Sequence, residues 1–220
     1  MLMEKEIAIA IVGGTGNLGQ ALAHRLAFPG VKLIIGSRDH EKAKTVVETL
    51  RKSLGKGSFD GKSNQEAVRE AELVVIAVPY EGHAAMLTEL KGELGEKIII
   101  DAVVPLKKGM PFTPPAGSAL LEAQEILGRE THLVGALHNI SVVDLQQPDA
   151  PLGDILVCGD NEQSKQKVME FLLKIGARAL DAGPASNAYI IEGLTGVLIQ
   201  LNRKYKSKHA SVKITGIGEG

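Results

Sequence analysis

The stretch Ile7-Ala-Ile-Ala-Ile-Val-Gly-Gly-Thr-Gly-Asn-Leu-Gly19 decides the fold. Ile7–Val12 is short, apolar and rich in β-branched residues, the composition of a strand buried on both faces. Gly14-Thr-Gly16-Asn-Leu-Gly19 follows it and matches G-x-G-x-x-G. Glycines in that pattern also make plain turns. Here they leave a strand and open a helical pattern, the context of a dinucleotide-binding loop. Gly14 permits the tight turn, Gly16 lets the backbone approach a pyrophosphate, and Gly19 lets the helix pack on the strand. The helix N-terminus then offers N–H groups and a positive dipole end to the phosphates.

The same alternation continues along the chain. Asn17–Phe28 carries Leu18, Leu22, Arg25 and Leu26 at helical spacing and ends at Pro29-Gly30. Val31–Gly36 reads as a strand and Asp39–Leu54 as a helix capped by Asp39. A third strand is expected near Ser58–Gly61 and a short helix over Asn64–Ala71. Further strands are expected over Leu73–Val78, Lys97–Asp101 and His132–Ala136, and helices over Glu81–Leu94 and Ala119–Leu127. Strands alternating with helices predict an α/β fold: a mostly parallel sheet with helices on both faces. The rhythm changes near residue 144, where Gln146-Gln-Pro-Asp-Ala-Pro151 reads as a linker. Beyond it come a strand (Asp154–Cys158), a helix (Asn161–Ile175), a strand (Arg178–Asp181) and a long helix (Asn187–Lys204). The expected division is 1–144 and a small C-terminal α/β domain, 145–220, with a mobile tail from Thr215.

Composition excludes several functions. In 220 residues, Lys+Arg is 25 and Asp+Glu 26, a net charge of −1 with no general pull on nucleic acid or acidic membranes. One cysteine excludes an internal disulfide framework, and the absence of Trp argues against broad aromatic stacking surfaces. The opening Met1-Leu-Met-Glu-Lys-Glu6 does not resemble a signal peptide, and no run approaches the ~20 apolar residues of a spanning helix. A cytoplasmic protein is expected.

The end of the second strand reports the cofactor. An NAD site places Asp or Glu there to bind the ribose 2′-OH. This chain has Gly36-Ser37-Arg38, with Lys42 a helical turn further on. Ser37 donates to a 2′-phosphate, Arg38 pairs with it through two N–H groups, and Lys42 adds a second charge. Two other strand ends carry small apolar residues and proline, Ala77-Val78-Pro79 and Val103-Val104-Pro105, where ligands of such sheets lie. His138 leaves the last strand of this block and is either a ring contact or a satisfied core histidine. No nearby His, Cys or carboxylate pair makes a metal site or a nucleophile–base pair with it. Cys158 reads as inert core. The basic stretch Arg203–His209 complements a helix C-terminus or attracts an anionic coenzyme tail.

These residues resemble those of the NADPH-dependent reductases of coenzyme F420, the F420H2:NADP oxidoreductase family. The resemblance rests on Ile11–Gly19, Gly36-Ser-Arg38 with Lys42, Val78-Pro79, Val104-Pro105, Ala136-Leu-His138, Val157-Cys-Gly-Asp160 and Leu180–Asn187. It implies a Rossmann domain with a small C-terminal domain packed into its groove. It places NADP along Gly14, Thr15, Gly16, Asn17, Leu18 and Gly19, with the 2′-phosphate on Ser37, Arg38 and Lys42. The nicotinamide is expected near Val78, Pro79, His83, Val104, His138 and Val142, with Ala210 closing the site. Ser141 and Val142 stand where a Pro-Ala-like pair would be expected. The deazaflavin would stack on the nicotinamide and exchange a hydride with it, with no catalytic dyad and His138 the one candidate for a catalytic group. Two alternatives remain open. One is an NADPH reductase of an imine, a carbonyl or ferric iron, with His83 or His138 as proton donor. The other is a non-catalytic NADP(H) sensor. A homodimer is expected because two-fold dimers are the commonest soluble oligomers.

Overall fold

A computed structural model describes residues 6–107, 109–147 and 149–218. The opening residues 1–5, Pro148 of the linker and the end of the tail, Glu219 and Gly220, lie outside the described residues.

Eight strands and helices lead to the middle of the chain: β1 (Ile7–Val12), α1 (Asn17–Arg25), β2 (Val31–Ser37), α2 (His40–Leu54), β3 (Ser58–Ser63), α3 (Asn64–Glu70), β4 (Leu73–Ile76) and α4 (His83–Leu94). Then come β5 (Ile98–Asp101), β6 (Leu106–Lys107), β7 (Met110–Pro111), α5 (Ala119–Leu127), β8 (Leu133–Gly135) and α6 (Val142–Leu145). The chain closes with β9 (Ile155–Val157), α7 (Glu162–Lys174), β10 (Ala179–Asp181) and α8 (Ala188–Tyr205). Six strands form one sheet in the order β3-β2-β1-β4-β5-β8, every pair parallel.

β1 explains the layering. Ile9, Ala10, Ile11 and Val12 are all 0% exposed. Successive side chains of a strand point to opposite faces. Ile9 and Ile11 therefore pack with Leu22, Val47 and Phe171 of α1, α2 and α7. Ala10 and Val12 pack with Val68, Leu87 and Leu120 of α3, α4 and α5. The sheet is covered on both faces, as the alternation predicts.

The C-terminal strands β9 and β10 form a separate parallel pair. An antiparallel bridge between Gly135 and Cys158 ties that pair to the end of β8. Arg25 anchors the linker by donating to the carbonyls of Gln147 and Ala150. Among the described residues, no helix is long and apolar enough to cross a membrane.

Three details differ from the sequence reading. β3 runs on to Ser63, although only Phe59 and Gly61 of it are buried. A Cβ on Gly61 would stand 2.8 Å from the backbone of Ala43, so the glycine lets α2 lie close. The turn Tyr80–Gly82 is 3-10, and α4 begins at His83. The hairpin β6–β7 and the single-turn α6 are new; the strands of that hairpin are two residues each, too short for any periodic signal.

Candidate active site

Strand order reverses between β1 and β4, because β2 lies on one side of β1 and β4 on the other. Open sheets of this kind bind ligands outside the strand ends at that point. The glycine loop sits there. Gly14 N–H donates to Ile11 and Gly36, which ties the loop to the end of β2. Gly13 N–H donates to Asn64 Oδ1 at 3.3 Å, and Gln20 Nε2 to the carbonyl of Thr15. A Cβ on Gly14 would stand 2.8 Å from a main-chain oxygen, and one on Gly19 would stand 2.5 Å from Gly14 Cα. The protein's own packing therefore demands both glycines. Gly16 is different. Its φ is −80°, and a Cβ there would meet only the Gly13 oxygen, at 3.3 Å. Gly16 also borders the cleft at the strand ends. No side chain caps α1, whereas Asp39, Ser63, Ser118 and Asn161 cap α2, α3, α5 and α7.

The neighbouring corner is basic. Ser37 is buried and its Oγ accepts from Asp39 N–H. Asp39 caps α2 by accepting from Lys42 N–H through Oδ1. Arg38 and Lys42 are exposed, and neither forms a salt bridge with any described residue.

From Gly16, Asn17 and Leu18 a cleft of about 400 Å³ runs across the strand ends. Val78, Pro79, Val104, His138, Ile140 and Val142 line it. Leu137 lines it too and holds φ at +69°. A leucine there is a backbone outlier, and such strain concentrates at functional sites. Thr195 of α8 reaches the cleft and donates its hydroxyl to the His138 carbonyl at 2.7 Å. His138 is 4% exposed, and neither ring nitrogen has a hydrogen-bond partner among the described residues. Burial pushes its pKa down to about 4, with Asp101 opposing and His83 assisting. It is a neutral imidazole at pH 7.

Behind the floor lie more ionisable groups. His83 Nε2 is 2.8 Å from Asp101 Oδ2, an ion-pair approach whose alignment falls short of a good hydrogen bond. Burial works against the His83 cation, but the Asp101 carboxylate outweighs it and the pKa is raised. Glu192 of α8 accepts from Ala119 and Leu120 N–H at the start of α5. Burial pushes Glu192 up to about 7, against those two bonds. A carboxyl whose folded pKa exceeds its unfolded value stabilises the fold below the unfolded value, and that contribution is lost as pH rises through the folded one. The shift amounts to on the order of 3 kcal/mol. Denaturant midpoints should therefore fall between about pH 5 and pH 8, and fall less in Glu192→Gln. Equal falls in both proteins would contradict the assignment. Cys158 is buried with its pKa pushed up to about 12, an inert thiol.

The structure thus brings Gly16, Asn17, Leu18, Val78, Pro79, Val104, His138 and Val142 into one lining. Gly14, Thr15 and Gly19 shape the loop beside it, and Ser37, Arg38 and Lys42 form the adjoining corner. His83 does not line the cleft; it stands behind the floor, 1% exposed. Ala210 does not line it either, and its N–H donates to Asn202. Asn64 and Thr195 carried no sequence signal, and Leu137 entered only as part of the Ala136-Leu-His138 segment.

The chain matches the family model described as NADP oxidoreductase, coenzyme F420-dependent, over residues 8–105. It is 38% identical to the F420-dependent NADP reductase of Methanocaldococcus jannaschii, over 95% of this chain and 98% of that one. It is 35% identical to the F420-dependent NADP reductase of Methanothermobacter marburgensis, over 96% and 99%. The chain belongs to the F420-dependent NADP reductase family. A solved structure of a putative F420-dependent NADP reductase from Arthrobacter superposes with a TM-score of 0.82 at 24% identity, covering 96% of this chain and all of that one, and speaks to the fold.

A member of the F420-dependent NADP reductase family must hold a dinucleotide, and the residues here fit one. The open side of Gly16 is left clear by the protein's own packing, and free cations flank Ser37. His138 borders the cleft, and both its ring nitrogens are buried without a hydrogen-bond partner among the described residues. Buried polar atoms without partners are rare unless a ligand supplies them.

Proposed function

We infer that this protein is an NADP-dependent oxidoreductase that passes a hydride between NADP(H) and the deazaflavin coenzyme F420. The observation that carries this is identity of 38% to an F420-dependent NADP reductase along nearly the whole of both chains. The cleft geometry supports it. When bound, the two coenzymes supply the hydride chemistry themselves, so the protein contributes alignment and exclusion of water.

The roles of the residues are proposals. Gly14, Thr15, Gly16, Asn17, Leu18 and Gly19 hold the pyrophosphate, with first-turn N–H groups of α1 as donors. Ser37, Arg38 and Lys42 hold the 2′-phosphate. Val78, Pro79, Val104 and Val142 form the dry walls around the ring pair. His138, neutral and buried, offers one N–H and one lone pair to a polar group of a ring. His83 acts from behind the floor, and Ala210 belongs to the segment that borders the site. Residues 145–220 act as a small domain closing the groove, which the Thr195–His138 bond supports.

Mixing the protein with oxidised coenzyme F420 and NADPH should bleach the deazaflavin's visible absorbance. Unchanged absorbance, with NADPH bound, would reject the reading.

A homodimer through α8 is also proposed. Ile190, Val197, Leu201 and Tyr205 are 56%, 53%, 40% and 68% exposed. They share one stripe of the helix, and a stripe of that kind marks an interaction surface. Light scattering should give a dimer for the wild type and a monomer for Val197→Glu combined with Leu201→Glu. A wild-type monomer would contradict the proposal. The free, buried Cys158 suits a reducing compartment, and the cytoplasm is the proposed location.

A further inference from the structure

Three segments of the cleft floor meet at one buried residue, two of them at its carboxylate. Asp101 ends β5 and is 0% exposed. Its Oδ1 accepts Val103 N–H at 3.0 Å, which fixes the turn into Val103 and Val104. Its Oδ2 lies 2.8 Å from Nε2 of His83, the first residue of α4, into which the Val78-Pro79 segment leads. Its main-chain carbonyl accepts Ala136 N–H at 3.2 Å, one residue before Leu137. Asp101 and His83 themselves line no part of the cleft.

Fold stability is a poor reason for this pair. Withdrawing two charges from water is costly, and an apolar pair of similar volume is often as stable or more so. The hydrogen bond from Val103 N–H and the 2.8 Å ion-pair approach to His83 give something an apolar pair cannot: a fixed spacing between the segments they join. Ring-to-ring transfer is sensitive to such spacing. We propose that Asp101 and His83 are positioning residues that set the separation of the Val78 and Val104 segments, and so the seat of the nicotinamide. This rests on the reading of the cleft as the nicotinamide site.

Asp101→Ala removes both side-chain contacts, and Asp101→Asn keeps the acceptor for Val103 without the charge facing His83. Three readouts apply: kcat, the Kd of NADPH, and the Kd of adenosine 2′,5′-bisphosphate, which reaches only the adenosine end. In Asp101→Ala, kcat should fall at least about tenfold and NADPH should bind several-fold more weakly. The bisphosphate should bind within about twofold of wild type, and Asp101→Asn should be intermediate. A folded Asp101→Ala protein with wild-type kcat and NADPH affinity would overturn the proposal. So would equal losses for NADPH and the bisphosphate, which would make the pair a general structural element. If Asp101→Ala does not fold, Asp101→Leu with His83→Leu takes its place, and failure of both to fold also overturns the proposal. A wild type that binds NADPH but leaves the deazaflavin oxidised rejects the function alone. The two affinities in Asp101→Ala still decide this inference.

Discussion

Gly16→Val leaves the fold standing and removes dinucleotide binding. A Cβ at this position meets only the Gly13 oxygen, at 3.3 Å, and φ is −80°, which any residue adopts. Valine at the start of a helix in place of glycine costs about 1 kcal/mol or less. The melting temperature should therefore change by only a few degrees. The added methyl groups would occupy the open side of the loop, where the pyrophosphate must reach the N–H groups of α1. Losing one or two hydrogen bonds to a charged group costs about 1.5–3 kcal/mol each. NADPH and NADH should lose affinity alike, by about a hundredfold or more. Gly19→Val is the contrast. Its Cβ would stand 2.5 Å from Gly14 Cα, so that variant should lose stability itself. Titration calorimetry with both nucleotides, beside a thermal melt, separates the two cases. Wild-type affinity in Gly16→Val would remove the loop from the binding site.

Arg38→Ala gives a different pattern. The guanidinium is exposed and forms no salt bridge with any described residue, so its removal costs the fold little. Against a doubly charged 2′-phosphate it should contribute roughly 1.5–3 kcal/mol, the range for hydrogen bonds to charged groups. NADPH should bind roughly 10- to 150-fold more weakly, and NADH should be little changed. The effect should shrink at high salt, because the corner is open to solvent. Equal losses for both nucleotides would take Arg38 out of the 2′-phosphate corner.

The two variants probe the part of the site that was legible in the sequence. β1 is buried on both faces, so it contains no polar alternation to obscure it, and the glycine pattern directly follows it. Asp39 likewise caps α2 as a residue of that type before a helix should. β3 was faint because it is an edge strand whose Ser58, Asp60 and Lys62 are not buried. The floor was partly legible, through the apolar strand ends at Val78 and Val104. What fixes the floor was not. Thr195 bonds to a carbonyl 57 residues away, and Asn64 to an N–H 51 residues away. Local patterns record propensity and periodicity, not contacts at such separations. The positive φ of Leu137 left no trace, since leucine is not the residue that conformation favours. His83 illustrates the same limit. The resemblance placed it among the cofactor-binding residues, and the fold turns its ring inward onto Asp101.

A single turnover with NADPH deuterated at both C4 positions, run in ordinary water, addresses the hydride path itself. If the nicotinamide and the deazaflavin lie face to face in this cleft, the reduced deazaflavin isolated afterwards carries one deuterium. Reduced deazaflavin free of deuterium would mean that the hydrogen passes through a site exchanging with solvent, and the stacked arrangement would be wrong.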